Sequence, residues 1–293
     1  MSLIDDLLAS GSVVTDGAWG TELQARGLAN GECPDVWNLT HPRLVEEVAR
    51  AYVEAGSRVI LTNTFRANRM ALEAAGLSGQ VAEINRAGVE ISRRAAACRA
   101  CVFASIGPSG KMLMSGDVTP AELRSAFAGQ ASALAAAGAD ALLIETMSDL
   151  AEAKEAISAA RECGLPVVAS MVFDSGRNKD RTMMGVTPEQ AAAELTEAGA
   201  DVIGANCGRG IAGLVEICRR LRASTSRPVW IKANAGLPEL VDGRPQYRMS
   251  PGEFAGYLPA LLDAGANFVG GCCGAGPEFI RALSSRMVLC ASS

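Results

Sequence analysis

The stretch Glu197-Ala198-Gly199-Ala200-Asp201-Val202-Ile203-Gly204-Ala205-Asn206-Cys207 decides the reading of the fold. Helix-forming residues stop at Gly199, and an apolar, β-branched run starts three residues later. A glycine just past a helix end, followed by such a run, is the expected helix-to-strand junction. The plan recurs in EAGSRVILTNTF from Glu54, AAGADALLIET from Ala136 and DAGANFVGGCC from Asp263. CGLPVVASMVFD from Cys163 is a variant with Pro166 as the break.

Completing the pattern gives eight short apolar runs, at 12–16, 58–63, 101–106, 141–145, 167–173, 202–207, 229–234 and 268–272. Helical segments separate them. Leu44, Val45, Val48, Tyr52 and Val53 keep helical spacing. Thr119-Pro120-Ala121-Glu122, Thr187-Pro188-Glu189-Gln190 and Ser250-Pro251-Gly252-Glu253 are helix starts, with proline first and an acid or amide third. Eight alternations of apolar strand and helix predict an α/β fold, a single (β/α)8 TIM barrel. Its strands are apolar throughout, as strands covered on both faces are. A doubly wound sheet would carry a glycine-rich phosphate turn after its first strand; Asp16-Gly17-Ala18-Trp19-Gly20 is not one. No linker rich in Pro or Ser interrupts the chain, so residues 1–293 are expected to be one domain.

The net charge of −5 argues against a basic nucleic-acid groove. No apolar run reaches the 18 or so residues of a membrane span. The start, MSLIDDLLAS, lacks the basic opening of a signal peptide, so a cytoplasmic location is expected. Nine cysteines in a chain this long do not resemble a secreted disulfide scaffold. His41, the single histidine, leaves little room for His-rich zinc sites or a Ser-His-Asp triad.

In such a barrel, chemistry sits at the C-terminal ends of the strands. The runs end in Asp16-Gly17, Thr62-Asn63-Thr64-Phe65, Gly107-Pro108, Glu145-Thr146, Asn206-Cys207-Gly208, Asn234-Ala235-Gly236 and Cys272-Cys273-Gly274. Only the seventh strand separates Cys207 from Cys272 and Cys273. Three thiolates suit Zn2+ and leave its fourth position open, the catalytic arrangement. Adjacent residues of a straight strand face opposite ways, so both cysteines reach one ion only if the chain turns there, which the flanking glycines permit. Cys33, Cys163, Cys218 and Cys290 read as small core residues, and Cys98-Arg99-Ala100-Cys101 as a structural pair at the far end of the barrel. A carboxylate ending an apolar strand, Glu145, is costly without a partner or water. Asp16 also reads as a turn cap.

DGAWGTELQARG, TNTFRAN, IGP, IET, IGANCG, KANAG and GGCCG occur in this order over nearly the whole chain. The set resembles the homocysteine S-methyltransferase family, and its second half is most similar to the homocysteine-binding domain of cobalamin-dependent methionine synthase. The resemblance implies a zinc-dependent barrel that methylates the sulfur of homocysteine to give methionine. It places the zinc ligands at Cys207, Cys272 and Cys273, and the acidic pair for the homocysteine amino group at Asp16 and Glu145. Gly17, Asn63 and Asn234 complete the expected substrate site. Ala233 stands where relatives often have proline.

The methyl donor is left open between a methyl-corrinoid (methylcobalamin) on a separate protein, a sulfonium such as S-methylmethionine, and betaine. A cationic donor favours an aromatic cage, for which Trp19, Trp37 and Phe65 are the candidates. His41 has no DxHxxG context, so a corrinoid would arrive on a partner. The sequence stops soon after the eighth run, without the long C-terminal extension of betaine-dependent relatives, so a monomer or small homo-oligomer is expected. Two other readings stay open: a non-catalytic zinc-binding barrel, and a Schiff-base enzyme using Lys232.

Overall fold

A computed structural model describes residues 2–241 and 244–291; the expected domain limits, 1 and 293, lie outside the described residues. Eight strands form one parallel sheet: β1 (Val13–Val14), β2 (Val59–Leu61), β3 (Cys101–Ile106), β4 (Ala141–Met147), β5 (Val167–Met171), β6 (Val202–Gly210), β7 (Val229–Asn234) and β10 (Phe268–Gly271). Between the last two runs an antiparallel hairpin, β8 (Glu239–Val241) with β9 (Arg244–Gln246), is inserted. The sheet order is β1-β10-β7-β6-β5-β4-β3-β2. A parallel bridge between Thr15 and Val59 joins its two edges, so the sheet is a nearly closed (β/α)8 TIM barrel with its helices outside.

The repeated junction works as its glycine suggests. Gly56, Gly138, Gly199 and Gly265 all hold φ between 90° and 102°, where a side chain would be strained. The polar residue two places on has a job that the sequence pattern hid. Asp140, Asp201 and Asn267 accept hydrogen bonds from the backbone N–H of Val102, Val167 and Val229, at 2.7, 2.9 and 2.9 Å. Each therefore pins the start of its own strand to the start of a neighbouring one. The three expected helix starts are capping boxes at Thr119, Thr187 and Ser250.

Alternation along the strands sorts the core into two parts. Val14, Ile60, Val102, Ala104, Leu142, Ile144 and Ile231 pack outward under the helices. Val13, Val59, Leu61, Phe103, Leu143, Val168, Val202, Trp230 and Phe268 fill the lumen, and Ile4 and Leu7 of the first helix join them. Trp230 lies 6.0 Å from Phe103 and 5.4 Å from Phe268 by ring centroids. This floor closes one end of the barrel and confines any site to the other.

The strand limits differ from the apolar runs where the mouth distorts. β4 and β6 run past their apolar residues to Met147 and Gly210, through register shifts between Ile144 and Met147 and between Asn206 and Gly210. The β8–β9 hairpin arises from a segment without an apolar run.

Candidate active site at the barrel mouth

Cys207 sits in the distorted end of β6 with φ 62°, followed by Gly208 at φ 61°. Two successive left-handed residues make the bulge at which the register of β6 slips. Cys272 and Cys273 follow β10 directly. The N–H of Cys272 donates to the Ala233 carbonyl at 2.6 Å, and the N–H of Ala275 donates back to the Cys272 carbonyl at 3.0 Å, closing a tight turn. Gly274 holds φ 78°, and a Cβ there would meet the Tyr247 ring at 2.2 Å. The turn brings both neighbouring thiols to the same side. All three sulfurs lie within 4.8 Å of one another, with Cys207 and Cys273 4.0 Å apart. Hydrogen bonds with Cys272 and Cys273 push the Cys207 thiol down, and hydrogen bonds with Cys207 and Cys273, together with burial, push the Cys272 thiol well up.

The two carboxylates differ. Asp16, just past β1, is fully buried. Its Oδ2 accepts from the Leu61 N–H at 2.7 Å and from the Trp19 indole at 2.8 Å, and its Oδ1 pairs with the Lys232 ammonium. Glu145, on β4, is 8% exposed, and its Oε1 accepts from the Ser105 hydroxyl at 2.5 Å. Burial pushes the Glu145 carboxyl up, against the opposing pull of Lys232 and Ser105. Burial works to lower Lys232, but Asp16 and Glu145 outweigh it and hold its pKa above the ordinary lysine value.

Thr146 follows Glu145 at φ 63°, an uncommon conformation for a β-branched residue. Asn206 holds it there. Its Oδ1 accepts from the Thr146 N–H at 2.9 Å and from Ser170 at 2.7 Å, and its Nδ2 donates to Thr146 Oγ1 at 2.7 Å.

The other expected site residues are spread around this mouth. Gly17 is required by packing, because a Cβ there would lie 2.1 Å from the Ala275 carbonyl oxygen. The Asn63 amide donates to the Pro34 carbonyl at 2.7 Å and to Asn38 at 3.1 Å, tying the loop around Pro34 to β2. Asn234 donates to the Gly208 carbonyl at 3.0 Å, and its buried Oδ1 has no partner among the described residues. Of the three aromatic candidates, Trp37 is buried, with its indole donating to Glu32 at 2.8 Å and its ring 4.5 Å from His41. Trp19 is held by Asp16, and Phe65 packs over Gly107.

Ser105, Ser170 and the Lys232 ion pair are what a list of strand ends missed, and Asn206 stood in that list without a role. Each is an inward-facing polar residue at or just before a strand end, so alternation outward from the apolar floor would have found them.

The site's fit to a metal rests on this geometry. Three thiols converge, and beside them the Asn234 carbonyl oxygen is buried and unpartnered. Among the described residues this is the one such group of His, Cys and carboxylate side chains. An all-sulfur donor set suits Zn2+ and disfavours Mg2+ and Ca2+.

Comparison with known proteins gives the family and the fold. The family model for homocysteine S-methyltransferase matches residues 13–287. Methionine synthases of Mycobacterium tuberculosis and Mycobacterium leprae are each 31% identical over 96% and 97% of this chain. The chain spans about a quarter (25%) of their length. The metallated crystal form of the homocysteine methyltransferase MmuM from Escherichia coli superposes with a TM-score of 0.80 at 25% identity, covering 97% of this chain and 99% of that one. Its oxidized form gives 0.79 at 24% identity. Three thiols gathered at the mouth of a TIM barrel, in a chain matched by that model over nearly all its length, mean that this protein belongs to the homocysteine S-methyltransferase family.

Proposed function

We propose that this chain transfers a methyl group to the sulfur of homocysteine, giving methionine, with Zn2+ held by Cys207, Cys272 and Cys273. The observation that carries this reading is the convergence of the three sulfurs within 4.8 Å on the face of the barrel that also holds Glu145. Bound there, Zn2+ would supply the acidity that turns an incoming thiol into a thiolate near neutral pH. The side chains do the rest. Glu145 attracts the acceptor's ammonium, Gly17 lets the backbone close up beside it, and Asn234 and Asn63 brace the two sides of the mouth. No side-chain base is needed, in keeping with a chain whose single histidine packs on Trp37. The chain is taken to act as one acceptor-binding domain, with the methyl donor, whether a corrinoid-bound methyl, a sulfonium or betaine, delivered from outside it.

The ion pair with Asp16 argues against Lys232 as a Schiff-base nucleophile, because an amine must lose its proton to attack a carbonyl. The test is methionine formation from homocysteine against a panel of betaine, S-methylmethionine and methylcobalamin, with bound zinc measured in parallel. Cys273→Ser should lose both zinc and methyl transfer. Full activity in that variant would refute the assignment, and zinc binding without homocysteine binding would favour a storage role.

A further inference from the structure

We infer that Lys232 sets the acceptor selectivity of the mouth by neutralising Asp16, so that Glu145 alone meets the ammonium of the thiol substrate. This rests on homocysteine being the acceptor, and it departs from an acidic pair that shares the ammonium. The lumen column Trp230-Lys232-Asn234 places the lysine one inward step above the aromatic floor and one below the thiol cluster. Lys232 and Asp16 are both buried and joined by an ion pair. Asp16 has both oxygens committed, one to Lys232 and the other to two N–H donors. The protein therefore already supplies the cation that Asp16 would otherwise take from a ligand. Glu145 has one oxygen bound to Ser105, and it alone of the two retains exposure to the mouth. Lys232 also acts on Glu145 at longer range, but its ion pair is with Asp16, so the carboxylate without an ion pair of its own among the described residues is the one that faces the substrate ammonium. A second, unneutralised carboxylate would bind the ammonium more tightly but would leave a buried charge without a partner before substrate arrives, a costly state.

The experiment measures binding of homocysteine and of its des-amino analogue γ-mercaptobutyrate to the zinc-loaded protein by calorimetry. The readout is the ratio of the two affinities, which a purely structural defect would leave alone because it weakens both. Glu145→Gln should lower the preference for homocysteine by about 10–100-fold, the loss expected for a hydrogen bond to a charged group. Lys232→Met frees the Asp16 carboxylate and should raise the preference by about tenfold, the effect of one added nearby charge. Asp16→Asn with Lys232→Met removes both charges and should return the ratio to that of the unaltered protein. Circular dichroism and melting confirm that each variant folds. If Lys232→Met fails to fold, Glu145→Gln and the double variant still decide the matter. A Glu145→Gln protein that keeps its preference, or a double variant that loses it, overturns the division of labour. An unaltered protein that binds both acceptors alike overturns the ammonium assignment itself.

Discussion

The floor and the mouth of the barrel are built from the same eight strands and obey opposite rules. On the floor, inward positions are Val, Leu, Phe and Trp, in regular register, with Trp230 between Phe103 and Phe268. One inward step higher the same columns present Ser105, Glu145, Ser170, Asn206 and Lys232, all buried. There the register slips on β4 and β6, and two non-glycine residues, Thr146 and Cys207, adopt left-handed backbone. The floor gains stability from area removed from water. The mouth gives some of that up to hold charges and thiols in fixed places, and backbone strain of this kind tends to gather where function lies.

The largest break in this contrast should come from the floor. Trp230→Ala empties the centre of the lumen and should cost about 3–5 kcal/mol. Its indole N–H has no partner among the described residues, so Trp230→Phe should cost far less. Thermal and denaturant unfolding measure both. Zinc bound per folded molecule should stay unchanged in Trp230→Phe, since the thiols are held by the strand ends and not by the ring. Loss of zinc in that variant would join the two regions that the geometry separates.

A smaller effect should come from Asp35, in the loop that Asn63 fastens to the mouth. It is buried, with its carboxyl accepting from the Arg66 N–H at 2.9 Å, and burial raises its pKa from 3.8 to about 6. The folded protein therefore keeps this proton between about pH 4 and 6, where the unfolded chain has lost it. Stability contributed by the neutral form is full at low pH and falls as pH rises through that window, by about 3 kcal/mol in all. Asp35→Asn stays neutral and should remove this slope. Comparing unfolding of the two proteins from pH 4 to 7 isolates the effect, and parallel curves would show that Asp35 is not penalised in the fold.

How much of this could be read from the sequence follows the same division. The four glycine junctions and the eight apolar runs led to the barrel, because a helix stop and a buried strand are local properties of composition. The thiol cluster was legible because Cys207, Cys272 and Cys273 fall at strand ends, and barrel geometry brings strand ends together. Lys232 was harder to place. It is within an apolar run, and only the lumen reveals that Asp16, more than two hundred residues away in sequence, is its partner. The hairpin β8–β9 and the bulges on β4 and β6 left no hydrophobic signature, since a slip in register is a property of two strands and not of one.

Asn206 tests whether the mouth's strain is held by side chains or tolerated by the backbone. Its amide makes three hydrogen bonds, a buried one to Ser170 and two part-buried ones to Thr146, at the point where β4 turns to present Glu145. Asn206→Ala leaves the Thr146 N–H and the Ser170 hydroxyl without their partner and should cost about 2 kcal/mol. Released from that grip, Thr146 should relax from φ 63° toward ordinary extended backbone, because a β-branched residue gains by leaving the left-handed region. Glu145 then drifts, and homocysteine affinity should fall about tenfold, the price of one misplaced charged hydrogen bond. Asn206→Asp keeps an acceptor for Thr146 and Ser170 but exchanges the donor for an ionisable carboxyl, so it should hold the Thr146 turn better than Asn206→Ala while costing stability of its own as the buried carboxyl ionises. Unfolding and calorimetry on the pair separate these outcomes. If Asn206→Ala melts and binds like the unaltered protein, the left-handed turn at Thr146 is sustained by β4 alone and the amide is incidental to the site.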